Sequence, residues 1–449
     1  MTNLLNTSTS NRDVIILELK LVGSNGKVAD LKNVFNAINI YEDIFQPVVT
    51  GTIYIQDGIN ILADYAIHGN EYLYITFGRP GETLRDQRYT KTFRIYKISE
   101  REKAKNSQIQ NYVLHFCSEE LIFSNQQSIS RSYSGGNTFE YVGGICLYDL
   151  KVQEKKLVDF DVSAGPTEFV LTRKKPLEAI QYLTEHSYSA SKSPFLFFEN
   201  KEGFNFLSVE ALYSRNVIGS MEYSAAKFAV DSDVAPFVNS RDINDLKFNQ
   251  NFDVAKATRE GLYSSKLYTL DLIRQRYVKN DISLLNNQTA EVMIDGFFPF
   301  NDATNRNGKA LYEEFDSKIR YWLTNKDNSN LPYFISKGVR SNDNYIEEIL
   351  AQREMQIQII NNTELHCVVP GNPQYSAGFT VNVNMPAFTP NLQNERIKDP
   401  YYSGKYLITA VRHVIVPGSL QTILELSKNS LGAPLDLSAG GEYKKAQKL

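Results

Sequence analysis

Hydrophobic and polar positions alternate with period two over several short stretches near the start of the chain. In residues 14–22 (VIILELKLV), Leu17, Leu19 and Leu21 fall on one side, and Glu18 and Lys20 on the other. That pattern predicts a half-buried strand. Residues 48–56, 71–77, 92–99 and 108–117 repeat it. Asp57-Gly58 and the run Gly78-Arg79-Pro80-Gly81 supply turn chemistry between them. The polar stretch 101–106 separates the last two strands, so they read as a long hairpin with a charged tip. Five strands within 13–118 predict one closed or nearly closed antiparallel barrel.

The pattern then changes. Residues 139–150 have helical spacing, weakened by Gly143-Gly144 at about 1 kcal/mol per glycine relative to alanine. A firmer helix begins at Pro176, a residue suited to a first helical turn. Its Leu177, Ile180 and Leu183 share one side. Residues 195–198 and 204–209 form a predicted aromatic hairpin, turned by ENKEG at 199–203 with Gly203 free to take positive φ. Residues 252–260 predict a short helix stopped by Gly261, followed by a strand at 264–273. Helices are expected at 310–323 and 344–354. Strands are expected at 355–360 (MQIQII), 364–369, 379–383, 406–416 and 420–426, with Pro417-Gly418-Ser419 turning the last pair.

The fold class expected is mainly β with α+β insertions: two similar antiparallel β-barrel domains, the second discontinuous. Residues 1–12 read as a polar tail and 13–118 as the first barrel. An α+β insertion follows at 119–242. Residues 243–275 and 355–427 make the second barrel, interrupted by an irregular insertion at 276–354, and 428–449 form a C-terminal extension. YVLHFC (112–117) and TELHCV (363–368) hint at duplication.

Composition narrows the chemistry. Of 449 residues, 48 are basic and 51 acidic, for a net charge of −3. A protein that grips phosphates over a broad face carries a basic stripe, and none is present. The 27 Tyr and 25 Phe favour pleated surfaces. Three cysteines, Cys117, Cys146 and Cys367, are too few and odd in number for a disulfide framework, which points to synthesis in a reducing compartment. No signal peptide and no run of about 18 apolar residues is visible, so stable membrane insertion is not expected.

No catalytic constellation emerges. His366 and Cys367 are adjacent in a strand and point to opposite faces; only His115 with Cys117 could converge, short of the four ligands zinc usually needs. No G-x-S-x-G elbow and no phosphate-cradling glycine motif occurs. The aromatics at 195, 197, 198, 204 and 206 read as hairpin core. The sequence therefore assigns no catalytic residue, cofactor or metal. It names one partner-docking candidate, the hairpin tip Arg101, Glu102, Lys103, Lys105 and Asn106, since loops on rigid scaffolds commonly carry recognition.

Ordered segments add a resemblance. YEDIFQPVVTGTIYIQDG (41–58), EELIFSNQQSISRSYSG (119–135), the helix-hairpin at 174–212, GLYSSKLYTLD (261–271) and SGKYLITAVRH (403–413) resemble, in this order, the baseplate hub subunit of T-even-type contractile-tailed bacteriophages. The resemblance implies a non-enzymatic virion protein with two tube-like barrels per subunit. Three copies would make a pseudo-hexameric ring between the hexameric tail tube and a trimeric spike. Its implied partners are the tail tube protein, a spike or tail lysozyme on a separate chain, other baseplate proteins, and DNA that passes the lumen unbound. Its implied place is the virion baseplate, after synthesis in the bacterial cytoplasm. The rival functions are a tail-associated peptidoglycan hydrolase and a carbohydrate- or receptor-binding module.

Overall fold

The computed structural model describes residues 14–81, 87–103, 109–134, 136–163, 169–223, 242–251, 253–271, 275–283, 294, 309, 313, 318–324, 346–360, 363–386 and 398–433. The expected tail at 1–12 lies outside them, as does most of the C-terminal extension.

The first lobe contains β1 (Ile15–Val22), β2 (Val28–Asp30), β3 (Phe35–Asp43), β4 (Thr50–Asp57), β5 (Tyr72–Gly78), β6 (Tyr89–Lys103) and β7 (Gln110–Cys117). They pair antiparallel in the order β3-β4-β7-β6-β5-β1-β2. The two ends of that path, β3 and β2, are joined by only the turn at 31–34, so the sheet must curl around one core. Leu19, Ile38, Ile53, Leu73, Phe93, Leu114 and Phe116 are fully buried in it. A register shift between Ile16 and Glu18 in β1 turns Leu17 outward, where it is 41% exposed. The alternation expected through Leu17 therefore fails at a bulge.

The middle region holds β8 (Ile129–Tyr133), β9 (Leu157–Phe160), β10 (Phe169–Lys174), β11 (Phe195–Glu199) and β12 (Phe204–Ser208). The glycine-interrupted helix forms, as an α-turn at Thr138–Gly144 followed by a π-turn at Ile145–Asp149. The helix Pro176–Glu185 lays Leu177, Ile180 and Leu183 on Phe195, Phe197, Phe204 and Phe206. Leu196, Phe198 and Leu207, on the hairpin's other face, pack with Ile44, Leu212 and Leu407. The hairpin is thus buried on both faces and wedges between the lobes.

The second lobe is built from β13 (Val217–Glu222), β14 (Asp245–Asn251), β18 (Thr363–Pro370), β19 (Thr380–Asn384), β20 (Gly404–Val416) and β21 (Ser419–Lys428), while β15 (Ser264–Asp271), β16 (Arg276–Ser283) and β17 (Ile319–Thr324) form a separate sheet. Its main path runs β14-β18-β21-β20-β19-β13, with β13–β19 parallel. A bridge between Glu222 and Asp242 brings the path's ends together.

Three sequence expectations change here. The strand at 264–271 leaves the second lobe for the sheet order β16-β15-β17, and β13 takes a place there instead. Residues 355–360 are not a strand but the last turns of the helix Ile346–Ile360, with Met355, Gln356 and Ile360 buried and Gln356 and Ile360 one helical turn apart. Of the helix expected at 310–323, residues 319–323 are instead in strand β17, held in parallel register on β15, and residues 310–312 and 314–317 lie outside the described residues.

The two lobes repeat one plan. Matching β1, β3, β4, β5, β6 and β7 to β13, β14, β18, β19, β20 and β21 preserves both chain order and sheet order, and strand direction at every pair but one, since β13 runs parallel to β19 where β1 is antiparallel to β5. The β6–β7 register shifts between Ile95 and Lys97, and the β20–β21 register shifts between Ile408 and Ala410, at the equivalent place. The duplication hinted at by YVLHFC and TELHCV is thus real but differently aligned: β18 matches β4, not β7.

Candidate functional site

The lobes join by backbone. The distal half of β20 pairs antiparallel with β3, from Ala410–Asp43 to Ile415–Ile38, so one sheet runs through both lobes. The proximal half of β20 meanwhile pairs with β19, from Gly404–Val383 to Leu407–Thr380. Strand alternation then gives the continuous sheet one continuous outer face, on the side away from both cores.

That face carries Asp245 and Lys247 of β14, Glu364 and His366 of β18, Glu425 of β21, Arg412 of β20, Tyr41 and Asp43 of β3, Thr52 and Tyr54 of β4, His115 of β7 and Lys97 of β6. Its charges are largely engaged. Arg412 donates to Asn39 Oδ1 at 3.2 and 3.0 Å and lies 5.6 Å over the Tyr41 ring. His366 Nε2 sits 3.1 Å from Glu364 Oε1 and 3.6 Å from Glu425 Oε2. Asn249 donates to Glu364 at 2.5 Å, and Thr409 to Glu425 at 2.9 Å. Burial, first, and then the neighbouring Glu364 raise the Glu425 carboxyl above its ordinary range. Among the described residues, Glu364, His366 and Glu425 alone form a set able to hold a metal ion, with ligand atoms within 4.8 Å of one another.

Beneath the seam lies a buried polar junction of three parts. From the first lobe come Glu42, Tyr89, Lys91, Val49 and Ser118; from the hairpin Glu199 and Asn200; from the second lobe Ser376 and Ala377. Glu199 is 2% exposed. It accepts from Val49 N at 2.9 Å, from Ser118 Oγ, and from Lys91 Nζ at 2.6 Å. Lys91 also donates to Asn200 O at 2.5 Å. Glu42 accepts from Ser376 Oγ at 2.5 Å and Ala377 N at 3.1 Å. Asn200 Nδ2 donates to Ala377 O at 3.1 Å. Burial is the largest cause raising Glu42 above the usual carboxyl range; Lys91 and the Ser376 and Ala377 donors oppose it. His413, fully buried beside Phe77 and Tyr89, is lowered to about 3 by burial and by Lys201, so it is neutral near pH 7.

The sequence-named docking tip divides. Arg101, Glu102 and Lys103 are exposed at the end of β6, with Arg101 Nε donating to Gln110 Oε1 at 3.1 Å. Lys105 and Asn106 lie outside the described residues. Cys117, Cys146 and Cys367 are buried free thiols. His115 bonds Ser99 Oγ at 2.7 Å rather than joining Cys117. The junction was missed by sequence reading because its members lie up to 335 residues apart. An ion pair between Lys91 and Glu199 leaves no periodic trace.

Among the described residues no helix is long and apolar enough to cross a membrane. No family model matches the chain. The probable baseplate hub protein gp334 of Vibrio phage KVP40 is 23% identical over 411 residues, covering 90% of this chain and 91% of that protein. A tail protein from Neisseria meningitidis aligns with a TM-score of 0.51 at 11% identity, covering 93% of this chain and 98% of that one. The 43 kDa tail protein of prophage MuSo2 from Shewanella oneidensis aligns with a TM-score of 0.50 at 11% identity, covering 93% and 100%. These two solved structures share the β-rich fold. The resemblance to the phage baseplate hub subunit that the ordered motifs carry is shown by the relative along nine-tenths of both chains.

Proposed function

We propose that this chain is a structural hub of a contractile-tail baseplate in the virion, made in the host cytoplasm and without enzymatic activity. Three copies form a ring of six lobes, which joins a hexameric tail tube to a trimeric spike or tail lysozyme chain and contacts other baseplate proteins. One observation carries the reading: two lobes of the same strand order sit in one chain and share one sheet. A subunit so built offers six similar positions in a threefold assembly.

The outer face suits a lumen wall that DNA passes without being held. Among the residues of that face named above, four carboxylates, Asp43, Asp245, Glu364 and Glu425, stand against three bases, Lys97, Lys247 and Arg412. Each phosphate neutralised would add affinity through counterion release, so a face with no basic surplus grips weakly. The test is native mass of the chain alone and mixed with a spike candidate from the same phage. A threefold mass with the spike supports the reading, and monomers under both conditions overturn it. Hydrolysis of peptidoglycan in a zymogram would also count against it.

A second reading, glycan or receptor binding, has one observation in its favour. Tyr277 and Tyr321 are each 69% exposed. They flank Tyr268 across the β16-β15-β17 sheet, with ring centroids 6.3 and 5.4 Å from it. A glycan array decides that reading.

A further inference from the structure

A cavity of about 320 Å³ lies where three parts of the chain meet. Phe45 and Pro47 line it from the turn between β3 and β4, Leu177 from the helix Pro176–Glu185, Leu196 and Phe197 from β11, and Ile357 from the helix Ile346–Ile360. Its walls are therefore mostly apolar. Arg353, one helical turn before Ile357, stands in the same wall. Its guanidinium is fixed in place but not neutralised. Both of its hydrogen bonds leave from Nη1, to Thr184 O at 3.2 Å and Phe195 O at 2.9 Å. They tie the end of one helix to the start of β11 and hold the head of the side chain. Nε and Nη2 have no partner among the described residues. Glu185, also on the cavity wall, acts on Arg353 without pairing with it and is itself bonded by Gln181 at 3.1 Å. Burial is the larger influence and lowers the Arg353 guanidinium to about 10, so the group is charged near pH 7. Arg94, Arg215 and Arg320 are also largely covered, and each has a carboxylate against it: Glu119, Asp159 and Glu354. Arg353 lacks one. A cation so placed is costly unless an anion meets it.

We propose that this cavity binds a small organic monocarboxylate, with the acid group on the Nε–Nη2 edge of Arg353 and an apolar body against Leu177, Phe197 and Ile357. That edge of a guanidinium presents two parallel N–H groups, which match the two oxygens of a carboxylate. One guanidinium with Glu185 nearby favours a single negative charge over the two of a phosphate. The volume equals that of about ten waters and stands at the lower end for ligand pockets, too small for a helix or strand of another protein. The site is complete within one chain and does not rest on the ring reading. Its ligand would touch the turn that leaves the β3–β20 seam, the aromatic hairpin and the helix Ile346–Ile360 together. Binding there would therefore stabilise the joint between the lobes, since a ligand held only by the native state shifts unfolding upward.

The test uses the full-length chain with acetate, isovalerate, benzoate and phenylacetate, each beside its uncharged amide. Isothermal titration should show saturable binding of at least one of the three larger acids, tighter than that of acetate, and thermal unfolding should move upward with its concentration. The matching amide should bind about tenfold or more weakly, because it leaves the guanidinium unneutralised. Arg353→Gln should abolish the preference for acid over amide. Arg353 also holds Thr184 O and Phe195 O, so a second variant stands beside it in case the first fails to fold. Ile357→Trp fills the cavity while keeping Arg353, and should weaken the acid by about tenfold or more. No saturable binding tighter than about 1 mM by any of the acids overturns the site. Amides that bind as well as their acids, or undiminished binding in Ile357→Trp, overturn it too.

Discussion

Glu199 offers the sharpest test of the buried junction. Replacing it by alanine removes the acceptor for Val49 N and Ser118 Oγ and leaves Lys91 with Asn200 O alone. Lys91 and Glu199 side chains are 12% and 2% exposed, so solvent screens the pair little. Breaking a buried pair by deleting one partner costs about 3–5 kcal/mol. The orphaned Val49 amide alone accounts for about 1–3 kcal/mol. These contributions overlap, and the expected total is about 3–5 kcal/mol, not their sum. Lys91→Met in the Glu199→Ala background should recover part of the loss, because no unpaired charge then remains; the cycle should show coupling of about 1–3 kcal/mol. A chain of this size need not unfold in one step. Urea titration should therefore be read together with hydrogen exchange at Val49 and along β3 and β20. A Glu199→Ala protein within about 1 kcal/mol of the parent, with Val49 still protected, would refute the junction as the lobes' clamp.

Phe197→Ala should cost about 3–4 kcal/mol in denaturant titration, because the ring is 8% exposed and stacks on Phe204 at 5.7 Å. Glu42 holds its proton more tightly folded than unfolded, so its contribution is fully present below the ordinary carboxyl pKa and is lost as pH rises through the raised one. Thermal unfolding from pH 4 upward should accordingly show Glu42→Gln gaining on the parent as pH rises, and a constant difference would contradict the assignment. The thiols should resist a disulfide reagent in the native state and all react after denaturation, since burial pushes Cys117 up to about 12 and raises Cys146 and Cys367 too. Replacing Asp245, Glu364 and Glu425 by lysine should leave folding intact but slow genome release in a potassium-efflux assay on virions; unchanged kinetics would oppose the conduit reading.

Local pattern carried much of the fold. Period-two runs marked β4, β5, β7 and β21 because each has one face on a core and one outside. Helical spacing and Pro176 marked the helix that supports the aromatic hairpin. Strand β3 escaped for a physical reason. Ile38, Asn39 and Ile40 are buried in succession, because Arg412 covers the outer side of Asn39 while the core takes the isoleucines. MQIQII misled because its alternation of Met355, Ile357 and Ile359 is not the pattern the fold buries: Met355, Gln356 and Ile360 are inside, as a helix places them. The hairpin tip stood out by its charge, and Arg101, Glu102 and Lys103 are indeed exposed at the end of β6.

The joint between the lobes differs in kind from a domain contact made of side chains. Side-chain interfaces within a chain can slide or hinge. A ladder from Ala410–Asp43 to Ile415–Ile38 cannot shift by one residue without turning Ile38 and Ile40 out of the core and Tyr41 into it. The wedge of the β11–β12 hairpin blocks the remaining freedom, rotation about the ladder. Phe198 fills the space beside Gly378, whose φ is +84°, where a Cβ would meet the ring at 2.6 Å. Glu199, one residue on, ties that wedge to the first lobe, and Asn200 ties it to the second. Load applied to either lobe is therefore carried by backbone hydrogen bonds and by a buried charge pair, both of which resist shear better than apolar packing alone.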